Sequence, residues 1–104
     1  MTLHPNRNAS FLAVLEDIIA GRLREKSSGS YVASLAAGGD KRLAQKVAEE
    51  AVEVALAVTA GDRKEQLEEA ADLVFHLLVL LKAKDISLAD VAAVLEQRHA
   101  LRSQ

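Results

Sequence analysis

Apolar residues recur at helical spacing along most of this chain, and clusters of serine, glycine and aspartate cut the pattern into segments. Phe11, Leu15, Ile18, Ile19 and Leu23 share one side of a helix that Ser10 is placed to cap and that runs to about Lys26. Ser27-Ser28-Gly29 breaks it. A short helix is expected from Ser30 to about Ala37, with Tyr31 and Leu35 facing inward and Val32 beside them. Gly38-Gly39 ends that helix. Asp40 then caps the next, which runs to about Ala60 with a stripe of Leu43, Val47, Ala51, Val54 and Val58. Asp62, with Glu65 following, gives a capping-box start to a third long helix. There Leu67, Ala70, Val74, Leu77 and Leu81 form one stripe, which Leu73, Phe75 and Leu80 widen. So broad an apolar face exceeds what one hairpin covers and predicts burial in a bundle or a dimer. Lys84-Asp85-Ile86 is a connector, and Ser87 to Asp90 starts a last helix ending near His99. Residues 1–9 and 100–104 read as flexible tails around one domain, 10–99.

The composition agrees with an all-α fold. Half of the 104 residues are hydrophobic, only 3% are aromatic, and one proline and five glycines leave long uninterrupted stretches. A chain of this length forms one domain, expected as a helical bundle of about four to five helices completed by homodimerisation. Its 13 basic and 15 acidic residues are intermixed, for a net charge of −2, so no polybasic face suits a nucleic-acid backbone. The absence of cysteine excludes disulfides, thiolate metal ligands and a thiol nucleophile. The amino terminus lacks a signal pattern, and the most apolar run, Leu73 to Leu81, is far shorter than a bilayer span. A cytoplasmic protein with no membrane or nucleic-acid partner is expected.

Two acidic pairs stand out against this background: Glu50-x-x-Glu53 and Glu69-x-x-Asp72. The i,i+3 spacing puts both carboxylates of a pair on one helix face. Glu53 lies 8 and Glu50 11 residues before Gly61, the centre of the expected turn; Glu69 lies 8 and Asp72 11 residues after it. An antiparallel hairpin reversing at Gly61 therefore sets Glu53 level with Glu69 and Glu50 level with Asp72, about 12–17 Å from the turn. Isolated acidic pairs usually mark a solvated face. Here Glu50 falls between Val47 and Val54, and Asp72 directly precedes Leu73-Val74-Phe75, so carboxylates reach the edge of the core. Clustered there, they repel one another unless a cation joins them.

An all-oxygen site suits a hard cation, Mg²⁺ first and Mn²⁺ next. Mg²⁺ keeps waters and binds phosphates, which favours phosphate chemistry, and four carboxylates have room for two ions about 3.5–4 Å apart. Lys46, one turn before Glu50, is either its i,i+4 ion-pair partner or a phosphate ligand at the rim. His76, one turn after Asp72, either orients that residue or is a hydrogen-bonded structural histidine. Glu49 either supports Glu53 or is simply exposed. Glu96-x-x-His99 has the form used in di-iron bundles, but it occurs once, near the terminus, and reads as chance.

Lys46-Val47-Ala48-Glu49-Glu50-Ala51-Val52-Glu53 and Glu69-Ala70-Ala71-Asp72-Leu73-Val74-Phe75-His76, continuing through Leu81, resemble the phosphoribosyl-ATP pyrophosphohydrolases of histidine biosynthesis. That family lies within the all-α nucleoside triphosphate pyrophosphohydrolase superfamily. Ser30-Tyr31-Val32-Ala33-Ser34-Leu35 adds to the likeness, which spans about residues 10–99. The resemblance implies Mg²⁺-dependent hydrolysis of the α–β phosphoanhydride of phosphoribosyl-ATP, a small nucleotide substrate, by a helical homodimer. It implies metal-binding and catalytic roles for Glu50, Glu53, Glu69 and Asp72, and substrate contacts from Lys46, Ser30 and Tyr31. Ala48 departs from the family pattern, where glycine is expected more often; its methyl group bears on fine geometry, not on the reaction class. A cyclohydrolase domain, fused in some relatives, has no room in a chain of this length. Two other readings stand beside this one: a housekeeping enzyme for non-standard nucleoside triphosphates, and a non-catalytic helical dimerisation module whose acidic patch serves solubility.

Overall fold

Among the described residues, 5–26 and 29–102, the computed structural model contains five helices and no strand. They are α1 (Pro5–Glu25), α2 (Tyr31–Ala37), α3 (Gly39–Ala60), α4 (Arg63–Ala83) and α5 (Leu88–Arg102). The first helix begins at Pro5 and not at a Ser10 cap, because proline at a first helical position has its φ already set and no N–H to leave unpaired. The last runs past His99 to Arg102. Residues 1–4, 27–28 and 103–104, which hold part of the expected tails and the Ser27-Ser28 break, lie outside the described residues.

Local chemistry fixes the helix ends. Gly38, not Asp40, is the N-cap of α3, and it makes no side-chain cap. Asp40 instead sits in the first turn and meets Lys84 Nζ at 2.8 Å, tying the start of α3 to the end of α4. The capping box expected at Asp62 is complete: its carboxylate accepts the Glu65 N–H at 2.9 Å, and Glu65 Oε1 accepts the Asp62 N–H at 3.5 Å. Ser87 and Asp90 exchange an equivalent pair of bonds, 2.9 and 3.0 Å, ahead of α5. The Leu88 N–H, at the start of α5, is accepted by Glu16 Oε2 of α1 at 2.6 Å.

Ile19 from α1, Val32 and Leu35 from α2, Leu43 from α3, and Leu78 and Val79 from α4 form the buried core. α3 and α4 pack as a hairpin, α1 lies against α4, and α2 bridges α1 and α3. The buried face of α4 differs from the expected stripe: His76, Leu78 and Val79 are buried, while Leu67, Val74 and Leu77 remain exposed. On α2, Val32 and Leu35 turn inward and Tyr31 is half exposed. Phe11, Ile18 and Val58 are likewise exposed, whereas Ile19 and Ala57 are buried. For most of these differences one cause serves: on a helix apolar around much of its circumference, periodicity does not say which side is buried. α5 contributes no buried residue. The radius of gyration, 15.6 Å, exceeds the ~13 Å of a compact chain of this length. No helix among the described residues is long and apolar enough to cross a membrane.

Candidate functional site

The hairpin of α3 and α4 sets the site, and Gly61 permits its tightness. A Cβ at Gly61 would lie 2.9 Å from the Ala57 carbonyl oxygen, closer than real Cβ atoms approach, and a tight 3.2 Å from Ala57 Cα. Gln66 Nε2 reaches back to the Ala57 and Gly61 carbonyls at 3.4 Å each, clasping the turn. With so short a connection, residues at equal distances from the turn face each other across the pair.

Glu50 of α3 and Glu69 and Asp72 of α4 each place a carboxylate oxygen within 4.8 Å of the other two. The Glu50 side chain is only 13% exposed, as its place in the apolar stripe predicts. Glu69 is half-buried and Asp72 exposed. Glu53 does not join this set. It is exposed, one turn nearer Gly61, and with Glu69 it lines an adjoining hollow of about 390 Å³ walled by Leu56, Ala57 and Gly61 and rimmed by Glu65 and Glu68. Three of the four expected carboxylates therefore converge, and the fourth stands beside them. The acidic rim of the hollow had no signal in the spaced pairs.

Crowding shows in the electrostatics. The Glu69 carboxyl is held above the ordinary carboxylate range, first by partial loss of solvent, then by the charges of Glu53 and Asp72, a hydrogen bond with Asp72, and the charge of Glu50. Lys46 Nζ lies 3.3 Å from Glu50 Oε1 and 3.9 Å from Glu49 Oε1. Its hydrogen bond to Glu50 raises the ammonium pKa above the usual lysine value; partial burial opposes this, and the charges of Glu50 and Glu49 add to it. One ammonium thus flanks three carboxylates, which leaves the cluster anionic. Its donors are all oxygen, the ligand chemistry of a hard divalent cation.

The remaining candidates fall around this cluster. Ser30 is buried as the N-cap of α2, its Oγ accepting the Ala33 N–H at 3.2 Å. The Tyr31 hydroxyl donates to His76 Nε2 at 2.7 Å, and His76 Nδ1 donates to the carbonyl oxygen of Asp72, also at 2.7 Å. His76 is thus a buried, doubly bonded histidine that holds the backbone of Asp72, not its carboxylate. Sequence spacing missed this link because Tyr31 and His76 are 45 positions apart on different helices. Glu49 is exposed and accepts from Gln45 Nε2 at 3.0 Å. Ala48 is exposed on α3, so its methyl group is not packed against the core. Glu96 and His99 lie on α5, outside the carboxylate cluster found among the described residues.

Comparison with known proteins gives the family of the chain. Residues 12–99 match the family described as phosphoribosyl-ATP pyrophosphohydrolase. The chain is 53% identical over 91 residues to the phosphoribosyl-ATP pyrophosphatase of Novosphingobium aromaticivorans, covering 88% of this chain and 85% of that protein. It is 52% and 53% identical over 89 residues to the histidine biosynthesis bifunctional proteins HisIE of Photobacterium profundum and Vibrio cholerae. Those matches cover 86% of this chain but only 43% and 42% of the relatives, so the chain spans less than half the length of these bifunctional proteins.

Proposed function

The chain belongs to the phosphoribosyl-ATP pyrophosphohydrolase family, and from that premise we propose that it hydrolyses the α–β phosphoanhydride of phosphoribosyl-ATP, yielding phosphoribosyl-AMP and pyrophosphate in cytoplasmic histidine biosynthesis. The observation that carries this reading is the convergence of Glu50, Glu69 and Asp72 within 4.8 Å across the hairpin. Their oxygen-only donors, and a Glu69 carboxyl pushed up among like charges, fit Mg²⁺, with Mn²⁺ as the alternative.

Bound there, Mg²⁺ supplies Lewis-acid polarisation of phosphate oxygens and lowers the pKa of a water. Glu50, Glu69 and Asp72 would hold the ion. Glu53, outside that set and lining the hollow, accepts a proton from the attacking water. Lys46 exchanges its carboxylate partners for phosphate oxygens and stabilises the charge on departing pyrophosphate. The aliphatic wall of the hollow, Leu56 and Ala57, offers apolar surface beside this charged edge. Exposed Leu67, Val74 and Leu77 on α4, Val52 and Leu56 on α3, and an α5 without buried residues support a homodimer in which a second copy covers these faces.

The test is pyrophosphate release from phosphoribosyl-ATP, ATP and dCTP, with and without Mg²⁺, by wild type and Glu50→Ala. Selective, Mg²⁺-dependent release that Glu50→Ala abolishes is expected. Preferential turnover of ATP or dCTP would move the chain to a housekeeping nucleotide hydrolase. No turnover by a folded sample would overturn the reading.

A further inference from the structure

We propose that Tyr31 and His76 form a positioning pair that sets the backbone of Asp72 and, through it, the cation affinity of the carboxylate cluster; this rests on the metal-dependent reading above. The hydrogen-bond directions follow from the atoms. A carbonyl oxygen only accepts, so the 2.7 Å contact to Asp72 requires the proton on His76 Nδ1. In the neutral ring Nε2 then offers a lone pair, and the Tyr31 hydroxyl donates to it at 2.7 Å. Two short bonds thus run from the first residue of α2 to the main chain of a carboxylate residue on α4.

The rings are held from several sides. His76 is 7% exposed and packs edge-on against Phe75, with centroids 5.2 Å apart. Tyr31 stacks on Phe75 at 6.2 Å with 19° between the ring planes, and meets His76 edge-on at 5.6 Å. Imidazole orientation is therefore fixed by two hydrogen bonds and two ring contacts. Among the three clustered carboxylates, that of Asp72 is the exposed one, so packing restrains it least. Anchoring its backbone fixes the point on α4 from which that carboxylate extends toward Glu50 and Glu69. The Tyr31 hydroxyl spends its proton on His76, so Tyr31 acts through His76 and not on phosphate. Partners that orient ligands from behind are a general determinant of metal affinity.

Tyr31→Phe keeps the ring stack and deletes only the bond to Nε2. His76→Gln removes the Nδ1 donor, and His76→Asn restores a donor at that position while losing the partner of Tyr31. Mn²⁺ affinity of the full chain without nucleotide, read from the free-ion electron paramagnetic resonance signal, is the primary measurement, alongside thermal melts and kcat and KM at saturating Mn²⁺. Tyr31→Phe should weaken Mn²⁺ binding about tenfold, with KM for phosphoribosyl-ATP unchanged. His76→Gln should weaken it further, and His76→Asn should recover part of the loss. Wild-type Mn²⁺ affinity in folded Tyr31→Phe, even with a lowered Tm, would reduce the pair to a structural contact and overturn the proposal. Unchanged affinity with a raised KM would overturn it too, by placing Tyr31 on the nucleotide. Wild type that fails to bind Mn²⁺ would sink the metal reading and the pair together. Wild type that binds Mn²⁺ but does not hydrolyse phosphoribosyl-ATP would sink the substrate assignment alone, while the Mn²⁺ comparison still decides the pair.

Discussion

Lys46 Nζ stands 3.3 Å from Glu50 Oε1, one turn along the same face of α3, and 3.9 Å from Glu49 on the other side. The ammonium offsets part of the repulsion among the carboxylates, yet it also competes with a divalent cation for the Glu50 oxygen. Lys46→Met removes the competitor. Mn²⁺ binding should then strengthen roughly two- to fivefold, the range that ion pairs near a surface are worth. Pyrophosphate release should fall about a hundredfold, because the charge that meets the leaving phosphate is gone. Calorimetric titration and the release assay separate the two effects. Weaker Mn²⁺ binding by Lys46→Met would instead give the lysine the role of preorganising Glu50.

Glu69 contributes to the pH dependence of the cation-free chain. Its folded-state pKa is raised, first by partial desolvation and then by Glu53, Asp72 and Glu50. The folded chain therefore holds more protons than the unfolded one between the two pKa values, and stability rises as pH falls through that window. Glu69→Gln abolishes the charge at every pH. With chelator present its Tm should exceed that of wild type at neutral pH, and the gap should close on acidification. Added Mg²⁺ should raise Tm for wild type only. Asp90 works with the opposite sign, because bonds from the Ser87 N–H and hydroxyl lower its pKa and that stabilisation is lost in acid. Both proteins share Asp90, so the difference between their melting curves isolates Glu69. A lower Tm for Glu69→Gln at neutral pH would show that a stabilising contact outweighs the repulsion.

The hairpin and most of its cluster were legible because they depend on local rules. Asp62 and Glu65 announce a helix start, Gly61 a reversal, and counting from Gly61 predicts which carboxylates meet. Counting also set Glu53 level with Glu69, and the two line one hollow; that Glu53 stays outside the tighter group depends on how each helix is rotated about its axis, which equal distance does not fix. The choice of buried face failed for the same kind of reason. Tyr31 and Val32 are neighbours in an apolar run, and only the tertiary bond from Tyr31 to His76 decides that Val32 fills the core while Tyr31 lies at its edge. Asp40 looked like a cap, but a partner 44 residues away, Lys84, draws its carboxylate elsewhere.

Leu78 and Leu67 separate what one subunit buries from what a second copy would. Leu78 is 1% exposed, and Leu78→Ala should cost about 3 kcal/mol of stability through lost burial and the cavity left behind. Leu67 is 59% exposed three turns nearer the start of α4, where a charge would be harmless to an isolated chain. Leu67→Glu should leave the helical circular dichroism intact and convert the proposed dimer to a monomer in sedimentation. Leu78→Ala should remain dimeric below its lowered Tm. An unchanged sedimentation coefficient for Leu67→Glu would remove this stripe from the subunit interface.

Glu53 tests whether the site divides into cation ligands and a separate base. Its carboxylate lines the hollow beside Glu69 but lies outside the group formed by Glu50, Glu69 and Asp72. A base needs to reach the attacking water, not the ion, so its removal should spare binding and spoil turnover. Glu53→Gln should therefore bind Mn²⁺ within about twofold of wild type while losing roughly a hundredfold or more of pyrophosphate release. Glu50→Gln should lose both. Parallel titrations and rate measurements on the two variants decide the matter. Loss of Mn²⁺ binding in Glu53→Gln equal to that in Glu50→Gln would make Glu53 a fourth ligand, drawn into the cluster when the cation binds.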